Sequence, residues 1–377
     1  MQLKFYVFLF VSALSFLVSC KPKEEDETAS YNRTPLLEHY AKDIIRPAYA
    51  DLQTSTDALK TAIDALVANV DNTNLVAAQN AWVEAYSDFQ YINAYNFGPA
   101  GEEGVNKTLT DEIGVFPTST SKIENFITLN DNTNNNFDRD SRGFLAIEYL
   151  LFNLAGDNNI ILAALADANR KNYLVSITNH SKTKIDAVVT AWESYEQEFI
   201  SNSGSDAGSS ISYLFNSYLQ GFELLKNYKV GLPAGLRAGQ IVTEETKVAG
   251  YYSGKSLDFI KAHYNAVEQA WYGKDKAGVD GIGFEDYLKN VEGGQALVNQ
   301  TIAQFASIQT AMNAVPTNVT LPSTIQTDKT TVDELYLQLS ALTRFIKSDI
   351  SSLLGISAIG STYFNWNAKS GDCFLPY

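Results

Sequence analysis

The spacing of hydrophobic residues predicts helices along nearly the whole chain. In residues 54–70, the apolar side chains of Leu59, Ile63, Leu66 and Val70 recur at intervals of three and four, which places them on one face of an α-helix. No stretch keeps the period of two that is typical of a half-buried strand. We therefore predict an all-α fold, with helices near residues 54–70, 72–97, 142–152, 166–200, 210–228, 255–272, 290–313 and 329–354.

Two stretches interrupt this pattern. Residues 97–137 are rich in glycine, proline and asparagine, and residues 202–210 read NSGSDAGSS, so both favour loops. A chain of this length is longer than a domain that is built around a single hydrophobic core usually is. We therefore expect two lobes, with an N-terminal lobe over about residues 35–203 and a C-terminal lobe over about residues 204–372.

The N-terminus has the pattern of a secretory signal. Residues 1–19 carry a single charge, Lys4, followed by an apolar run from Phe5 to Val18, which is the usual arrangement of a signal peptide. The tetrad Leu-Val-Ser-Cys that ends at Cys20 resembles the bacterial lipobox, in which the cysteine is lipidated. We expect the lipid on Cys20 and a disordered acidic tether, residues 20–34, to hold the protein on a membrane. We expect this to be the outer membrane, at its periplasmic face or at the cell surface.

Charge and cysteine content exclude several classes of function. Without residues 1–19 the chain has 27 basic and 43 acidic residues, hence a net charge of −16. A surface of this sign does not favour nucleic acid, because affinity for nucleic acid depends on basic contacts with phosphate. Cys20 and Cys373 are the only cysteines, so a disulfide framework and a cysteine-based metal site are both excluded; the role of Cys373 stays open.

One carboxylate stands within an otherwise hydrophobic segment. From Gly143 to Gly156 the sequence reads GFLAIEYLLFNLAG, with Glu148 as its single ionisable acid or base. A helix that is apolar on all sides is buried, and a buried carboxylate without a partner is strongly unfavourable. Glu148 therefore requires an Arg or Lys, backbone donors, a second acid that shares a proton, or a metal ion. Arg142 is a candidate counter-ion, although it cannot reach Glu148 along the same helix.

The segment and its surroundings resemble the imelysin family. Residues 143–148, Gly-Phe-Leu-Ala-Ile-Glu, are similar to the imelysin signature Gly-x-His-x-x-Glu. Four more segments resemble family motifs in the expected order, and the likeness covers about residues 35–372: they are residues 81–98, 112–127, 251–273 and 353–372. The resemblance implies two related helical bundles with the signature Glu near their junction. Imelysins were classed as metallopeptidases, are linked to iron-regulated envelope proteins, and include many members that look like binding proteins.

The chain departs from the signature at the position of its histidine. Leu145 stands there, so the His and Glu pair that could supply two metal ligands is incomplete. The three histidines are His39, His180 and His263; none forms a paired metal motif, and we interpret His39 and His263 as partly exposed helical residues. Glu148 is the only metal ligand that the resemblance implies, and the cofactor stays unknown, with a divalent cation still open.

Two serines are weaker candidates for the site. Ser253 and Ser256 match the family element Ser-Gly-x-Ser, and their hydroxyls could lie near Glu148. A simpler interpretation is that Ser256 caps the helix that begins at Leu257.

We expect Glu124 to lie at the surface of a short helix. We expect the tryptophans on amphipathic helices to be core residues: these are Trp82, Trp192 and Trp271.

These observations favour a non-enzymatic, imelysin-like lipoprotein of the envelope. We expect it to bind a metal or a small molecule between two bundles, with Glu148 as the polar anchor of the site. The family resemblance links it to iron or metal uptake. A metallopeptidase is the first alternative, weakened by Leu145. The second is a structural lipoprotein without a ligand, in which Glu148 bonds to a buried basic group. No catalytic residue is assigned.

Overall fold

The predicted helices are present, and every regular element that the structure describes is helical. The computed structural model describes residues 31–135 and 137–356, and the all-α prediction is confirmed within these ranges. The predicted signal peptide, Cys20 and Cys373 lie outside the described residues.

Three long helices build the framework of the first half. The helix α1 (Thr34–His39) continues through the π-helical turn Tyr40–Ile45 into α2 (Arg46–Ala68), and α3 (Asn72–Tyr91) follows after a short turn. The helix α2 lies against α3 and against the later helix α8 (Ala168–Ser201). Their contact is apolar: Leu59, Ile63 and Leu66 of α2 are fully buried, as the spacing predicts.

Shorter elements join α3 to α8. They are the 3₁₀ turns Ile92–Ala94, Gly98–Ala100 and Arg139–Ser141, and the helices α4 (Leu109–Ile113), α5 (Thr120–Leu129), α6 (Phe144–Leu151) and α7 (Asn158–Ala164). The sequence predicts a loop-rich stretch over residues 97–137 with a short helix at Glu124; the structure shows that helix as α5 and adds α4. The helix α4 has five residues, which is too short for a hydrophobic repeat to reveal it.

The second half is also helical, and it contains two more π-helical turns within the described residues. Its elements are α9 (Ser210–Leu224), a π-helical turn Leu225–Gly231, α10 (Leu232–Ala234), α11 (Ser256–Tyr272), α12 (Phe284–Lys289), α13 (Gly294–Ala314), α14 (Leu321–Thr327), α15 (Lys329–Arg344), a π-helical turn Phe345–Ile350 and α16 (Ser351–Leu353).

Helices from before and after the predicted boundary pack directly together. The helix α11 lies against α3, and α9 lies against the turn Ile92–Ala94. Gly221 permits the second contact, because a Cβ atom added there would lie 2.8 Å from the backbone oxygen of Asn93. The described residues from Arg33 to Ile356 form one compact unit, and the division into lobes at residue 203 stays a prediction. No helix in the described ranges is both long enough and apolar enough to cross a membrane.

An aspartate caps the start of α3. The carboxylate of Asp71 accepts the hydrogen bond from the backbone N–H of Asn74 at 2.8 Å. Aspartate favours this position because its charge also complements the positive end of the helix dipole.

Candidate functional site

The signature helix α6 begins at a glycine that no other residue could replace without strain. Gly143 has φ +81°, a conformation that L-residues other than glycine rarely adopt. A Cβ atom there would also lie 2.4 Å from the backbone oxygen of Ile113. The glycine thus sets both the entry of α6 and its close packing against α4.

The helix is buried on almost all sides but is shorter than its hydrophobic run. Apart from Tyr149, its residues are buried. The helix ends at Leu151, and Leu154, which the pattern assigns to a buried face, is 61% exposed. The burial predicted for Glu148 is confirmed, since that residue is 2% exposed.

Backbone donors satisfy the carboxylate of Glu148. Its Oε1 atom accepts a hydrogen bond from the backbone N–H of Ser253 at 2.8 Å. Burial raises the pKa of Glu148 to about 7, and this rise is limited by the backbone and hydroxyl of Ser253 and by the backbones of Tyr252 and Gly250. Of the partners that the sequence left open, the structure therefore selects backbone groups.

Two glycines shape the loop that carries these donors. In the segment Gly250–Gly254, which we call the Glu148 loop, Gly250 has φ +80° and Gly254 has φ +70°. A Cβ atom at Gly250 would come within 2.9 Å of the Phe259 ring. Successive backbone N–H groups in such turns form a concave surface that favours an anion. The loop holds the carboxylate in this way.

The structure brings Ser253, but not Ser256, to Glu148. The Ser256 hydroxyl donates to the backbone oxygen of Gly250 at 3.2 Å. The prediction that Ser256 caps the helix is wrong, because α11 begins at Ser256 itself, after Lys255. The Ser253 hydroxyl instead accepts from the backbone N–H of Lys255 at 3.4 Å. Both serines thus order the Glu148 loop.

Arg142 does not act as the counter-ion of Glu148. Its guanidinium lies 3.0 Å from the carboxylate of Glu112, which also contacts Arg139 at 2.8 Å and His180 at 3.2 Å. Burial alone would raise the pKa of Glu112, but the hydrogen bond with His180 and the charges of Arg142 and Arg139 outweigh it and hold the pKa at about 2. This cluster links α4, the 3₁₀ turn before α6, and α8.

The histidines do not complete a metal site. His39 contacts the carboxylate of Asp43 and the backbone oxygen of Gly273, and it is partly exposed as expected. His263 is fully buried, so the expectation of partial exposure is wrong; burial lowers its pKa well below the usual value. Leu145 is 3% exposed. Within residues 31–135 and 137–356, no three His, Cys, Asp or Glu side chains are grouped so as to hold a metal ion.

The remaining candidates are structural. Glu124 lies on the short helix α5 with its side chain 41% exposed, and it accepts a hydrogen bond from the Tyr149 hydroxyl at 2.7 Å. The three tryptophans that the sequence assigns to the core are fully buried: Trp82, Trp192 and Trp271. The Trp82 indole N–H donates to the backbone oxygen of Phe144 at 2.8 Å and so anchors α6 to α3.

A cavity of about 130 Å³ lies beside the Glu148 loop, among α3, α4, α9 and the π-helical turn Leu225–Gly231. Ala249, the residue before the Glu148 loop, is part of its wall. The lining runs from the exposed Gln220 to the buried Tyr86 and Phe89, so the cavity opens to solvent at Gln220 and has an aromatic interior. At about 30 Å³ per molecule of liquid water, it has room for about four waters or a small organic ion.

The backbone around the cavity is irregular at two places. Thr108 is buried, lines the cavity and has φ +77°, which is strained for a β-branched residue. On the opposite side the π-helical turn carries Asn227, Tyr228 and Lys229 into the lining. Strained residues and π-helical turns occur preferentially at functional sites.

The polar groups of the cavity include an unusual lysine. Lys229 is buried and donates a hydrogen bond to the Gln90 side chain, and burial lowers the pKa of Lys229 to about 7. The amide nitrogen of Asn93 donates to the backbone oxygens of Phe89 and Gln90, while its carbonyl oxygen has no partner among the described residues.

The sequence analysis missed these cavity residues. The lysines at 226 and 229 stand in a largely apolar run, GFELLKNYKVGLP, and that setting is the one sequence signal that points to Lys229. A regular α-helix already places Lys229, seven residues after the buried Phe222, on the same face as that ring, so periodicity agrees with its burial but does not reveal a cavity.

Comparison with known proteins agrees with the fold. The chain is similar to a solved imelysin-like protein from Psychrobacter arcticum 273-4, with 21% identity, a TM-score of 0.68, and coverage of 86% of this chain and 96% of that one. It is also similar to a protein from Parabacteroides distasonis ATCC 8503 named as an iron-regulated protein A precursor, with 18% identity, a TM-score of 0.66, and coverage of 83% and 94%. No curated protein matches the chain.

The match to a family model is the remaining comparison. The model described as Imelysin matches residues 45–346, a range that contains α6, the Glu148 loop and the whole cavity. The chain belongs to the imelysin family.

Proposed function

We propose that this protein is a non-enzymatic ligand-binding member of the imelysin family, held on the bacterial envelope by a lipid on Cys20. The observation that carries the proposal is the cavity that opens at Gln220, with aromatic walls and a few converging polar side chains. Such a combination is the usual character of a small-molecule site. Glu148 supports the site indirectly, because it holds the loop that follows Ala249.

A metallopeptidase is the less favoured alternative. Leu145 supplies no ligand, and the Glu148 carboxylate is bound by the backbone of its loop. A catalytic metal normally takes three protein ligands, and the described residues offer no such group. The residues present therefore do not fit a catalytic metal at the signature, and we assign no hydrolytic step to them.

The structural alternative keeps one point in its favour. Glu148 is satisfied within the protein, as a purely structural residue would be. Its partners are backbone N–H groups and the Ser253 hydroxyl, however, and not the buried basic group that this alternative expected. The lysine with the most perturbed environment, Lys229, lies instead in the cavity wall.

The physiological setting rests on likeness alone. The similar protein from Parabacteroides distasonis is named as iron-regulated, and we propose that the present chain serves iron or metal supply in the same broad sense. The proposed lipid anchor rests on the apolar segment and the tetrad that ends at Cys20.

Ligand-detected NMR tests the binding function. The chain from residue 20 onward, with Cys20→Ser, is mixed with butylammonium, butyrate and butyramide, which differ in charge but hardly in size. At least one probe should show saturation transfer, and Gln220→Trp, which fills the mouth of the cavity, should abolish it. Ser307→Trp, at an exposed position of α13, serves as the matched control. If no probe binds, the structural alternative is favoured.

A further inference from the structure

The two carboxylates in the cavity lining are already paired with cations. Asp111 lies 3.3 Å from the Arg139 guanidinium. Glu223 is held by three groups: the Lys226 ammonium at 3.2 Å, the Lys347 ammonium at 3.5 Å and the Asn227 amide. Neither carboxylate is therefore left to select the charge of a ligand.

Lys229, by contrast, lacks a counter-ion. It is the only basic residue among the described residues that line the cavity. Its side chain contacts no carboxylate within residues 31–135 and 137–356, and its hydrogen bond goes to the amide oxygen of Gln90. A protonated lysine has three N–H donors, so two of them are left for a ligand. Because an isolated charge is costly to bury, burial lowers the pKa of Lys229 to about 7.

The amine of Lys229 lies at the inner wall of the cavity. The Gln90 oxygen that accepts its hydrogen bond lies 3.4 Å from the amide nitrogen of Asn93, and Asn93 lines the cavity. Tyr86, four residues before Gln90 and on the same face of α3, lines it as well. Two lining side chains thus flank the contact between Lys229 and Gln90.

The surroundings of this amine are aromatic or uncharged. The rings of Tyr86, Phe89 and Phe116 contribute to the wall. From α11 the titratable side chain that faces Lys229 is His263, whose pKa is lowered well below its usual value by burial and then by the charge of Lys229. His263 is therefore neutral and does not compensate a charge on Lys229.

We propose that the cavity binds a small aliphatic carboxylate, whose oxygens accept hydrogen bonds from the Lys229 ammonium and whose hydrocarbon part packs against the rings of Tyr86 and Phe89. This inference rests on the proposed ligand-binding function and specifies its ligand class. The ligand supplies the counter-ion that Lys229 lacks, so Lys229 takes up a proton when the ligand binds. The volume of about 130 Å³ limits the ligand to a few carbon atoms, and an inorganic anion would leave the aromatic wall unused.

Calorimetric titration at pH 7 of the chain from residue 20 onward, with Cys20→Ser, tests the class of ligand. Butyrate should bind at least about tenfold more tightly than butyramide or butylammonium, because a hydrogen bond to a charged group is worth about a factor of ten or more in affinity. Lys229→Met, which keeps the length of the side chain but removes its charge, should weaken butyrate binding by about tenfold or more. Lys289→Met, at an exposed position of α12, is the matched control and should leave it unchanged.

The pH dependence separates a binding role of Lys229 from a structural one. Above the pKa of Lys229 the protonated fraction falls about tenfold per pH unit, so butyrate should bind about tenfold more weakly at pH 9 than at pH 8. The neutral butyramide should show no such change, and Glu148, with its pKa of about 7, is largely ionised throughout this range. An affinity for butyrate that is the same at both pH values contradicts the inference.

The other failures can be told apart. If no probe binds, this inference and the proposed function both fail. If butylammonium or butyramide binds better than butyrate, and Gln220→Trp abolishes that binding, the ligand class is wrong while the ligand-binding function stands. If butyrate binds but Lys229→Met does not weaken it, Lys229 is not the anchor and the inference is overturned. Gln220 is exposed, so its replacement tests the site even if Lys229→Met fails to fold.

Discussion

The side chain of Glu148 and the backbone N–H of Ser253 are joined by a hydrogen bond of 2.8 Å across 105 residues of sequence. This contact ties the signature helix α6 to the turn that precedes α11. Because Ala249 lies directly before that turn and lines the cavity, the contact also fixes one wall of the proposed site. The signature acid thus acts as a positioning residue for the cavity.

Removal of the Glu148 carboxylate should destabilise the protein. Glu148→Ala leaves the half-buried N–H of Ser253 without its acceptor, which should lower the free energy of unfolding by about 1–3 kcal/mol. Urea denaturation measures this change. Glu124→Ala, which breaks a more exposed ion pair with Arg170, should cost less than about 1 kcal/mol. Equal stability of Glu148→Ala and the parent would show that the carboxylate is not structural.

The same carboxylate should make stability depend on pH. Burial raises the pKa of Glu148 from 4.5 to about 7 in the folded state, so between these values the unfolded state is ionised while the folded state still holds the proton. The contribution of Glu148 to the free energy of unfolding is therefore fully present below pH 4.5, and this contribution is lost as the pH rises to about 7. Relative to Glu148→Gln, the parent should lose about 3 kcal/mol over this range. Denaturation curves at pH 5, 6, 7 and 8 measure the difference, and a difference of opposite slope contradicts the assignment.

Replacement of the signature glycine should be costly for two separable reasons. Gly143→Ala introduces strain at φ +81° and a clash with the backbone of Ile113. Gly156→Ala introduces strain at φ +65° in open space, at a cost of about 1–2 kcal/mol; this strain is milder than at Gly143, whose ψ of −170° belongs to a region almost restricted to glycine. Thermal denaturation should show that Gly143→Ala is less stable than Gly156→Ala by about 1–3 kcal/mol, the usual penalty of overpacking. Equal losses would exclude the clash.

The purified protein should hold no transition metal tightly. Leu145 replaces the imidazole ligand of the signature, and Glu148 is engaged by backbone donors. Elemental analysis after dialysis should find zinc and iron far below one equivalent. A stoichiometric metal that disappears in Glu148→Ala would restore the peptidase alternative.

Lipid attachment should depend on Cys20 alone. In cells that process lipoproteins, Cys20→Ser should move the protein from the membrane fraction to the soluble fraction, because a signal peptide without the lipidated cysteine leaves no anchor. Cys373→Ser, the matched cysteine variant, should stay with the membrane. Membrane association that persists in Cys20→Ser contradicts the lipid anchor.

The candidate site was predictable only in part. The sequence identified Glu148 as a buried carboxylate that must be satisfied, and the family resemblance offered Ser253 and Ser256 as weaker candidates whose hydroxyls could lie near it. It did not indicate that the backbone N–H of Ser253 is the donor. It did not identify Lys229 or Asn93, because no sequence pattern marks a cavity wall. It also misplaced His263, whose full burial depends on helices that pack around it from distant parts of the chain.

The sequence by itself determined the class of fold, the positions of the long helices and the burial of Glu148, because these follow from local periodicity and from the free-energy cost of exposing apolar surface. Only the tertiary structure decided which groups satisfy that carboxylate, that Arg142 pairs with Glu112, and that a cavity opens at Gln220. Such pairings depend on the mutual approach of segments 30 to more than 100 residues apart. Local sequence does not set that approach, since it is fixed by the packing of all the helices together.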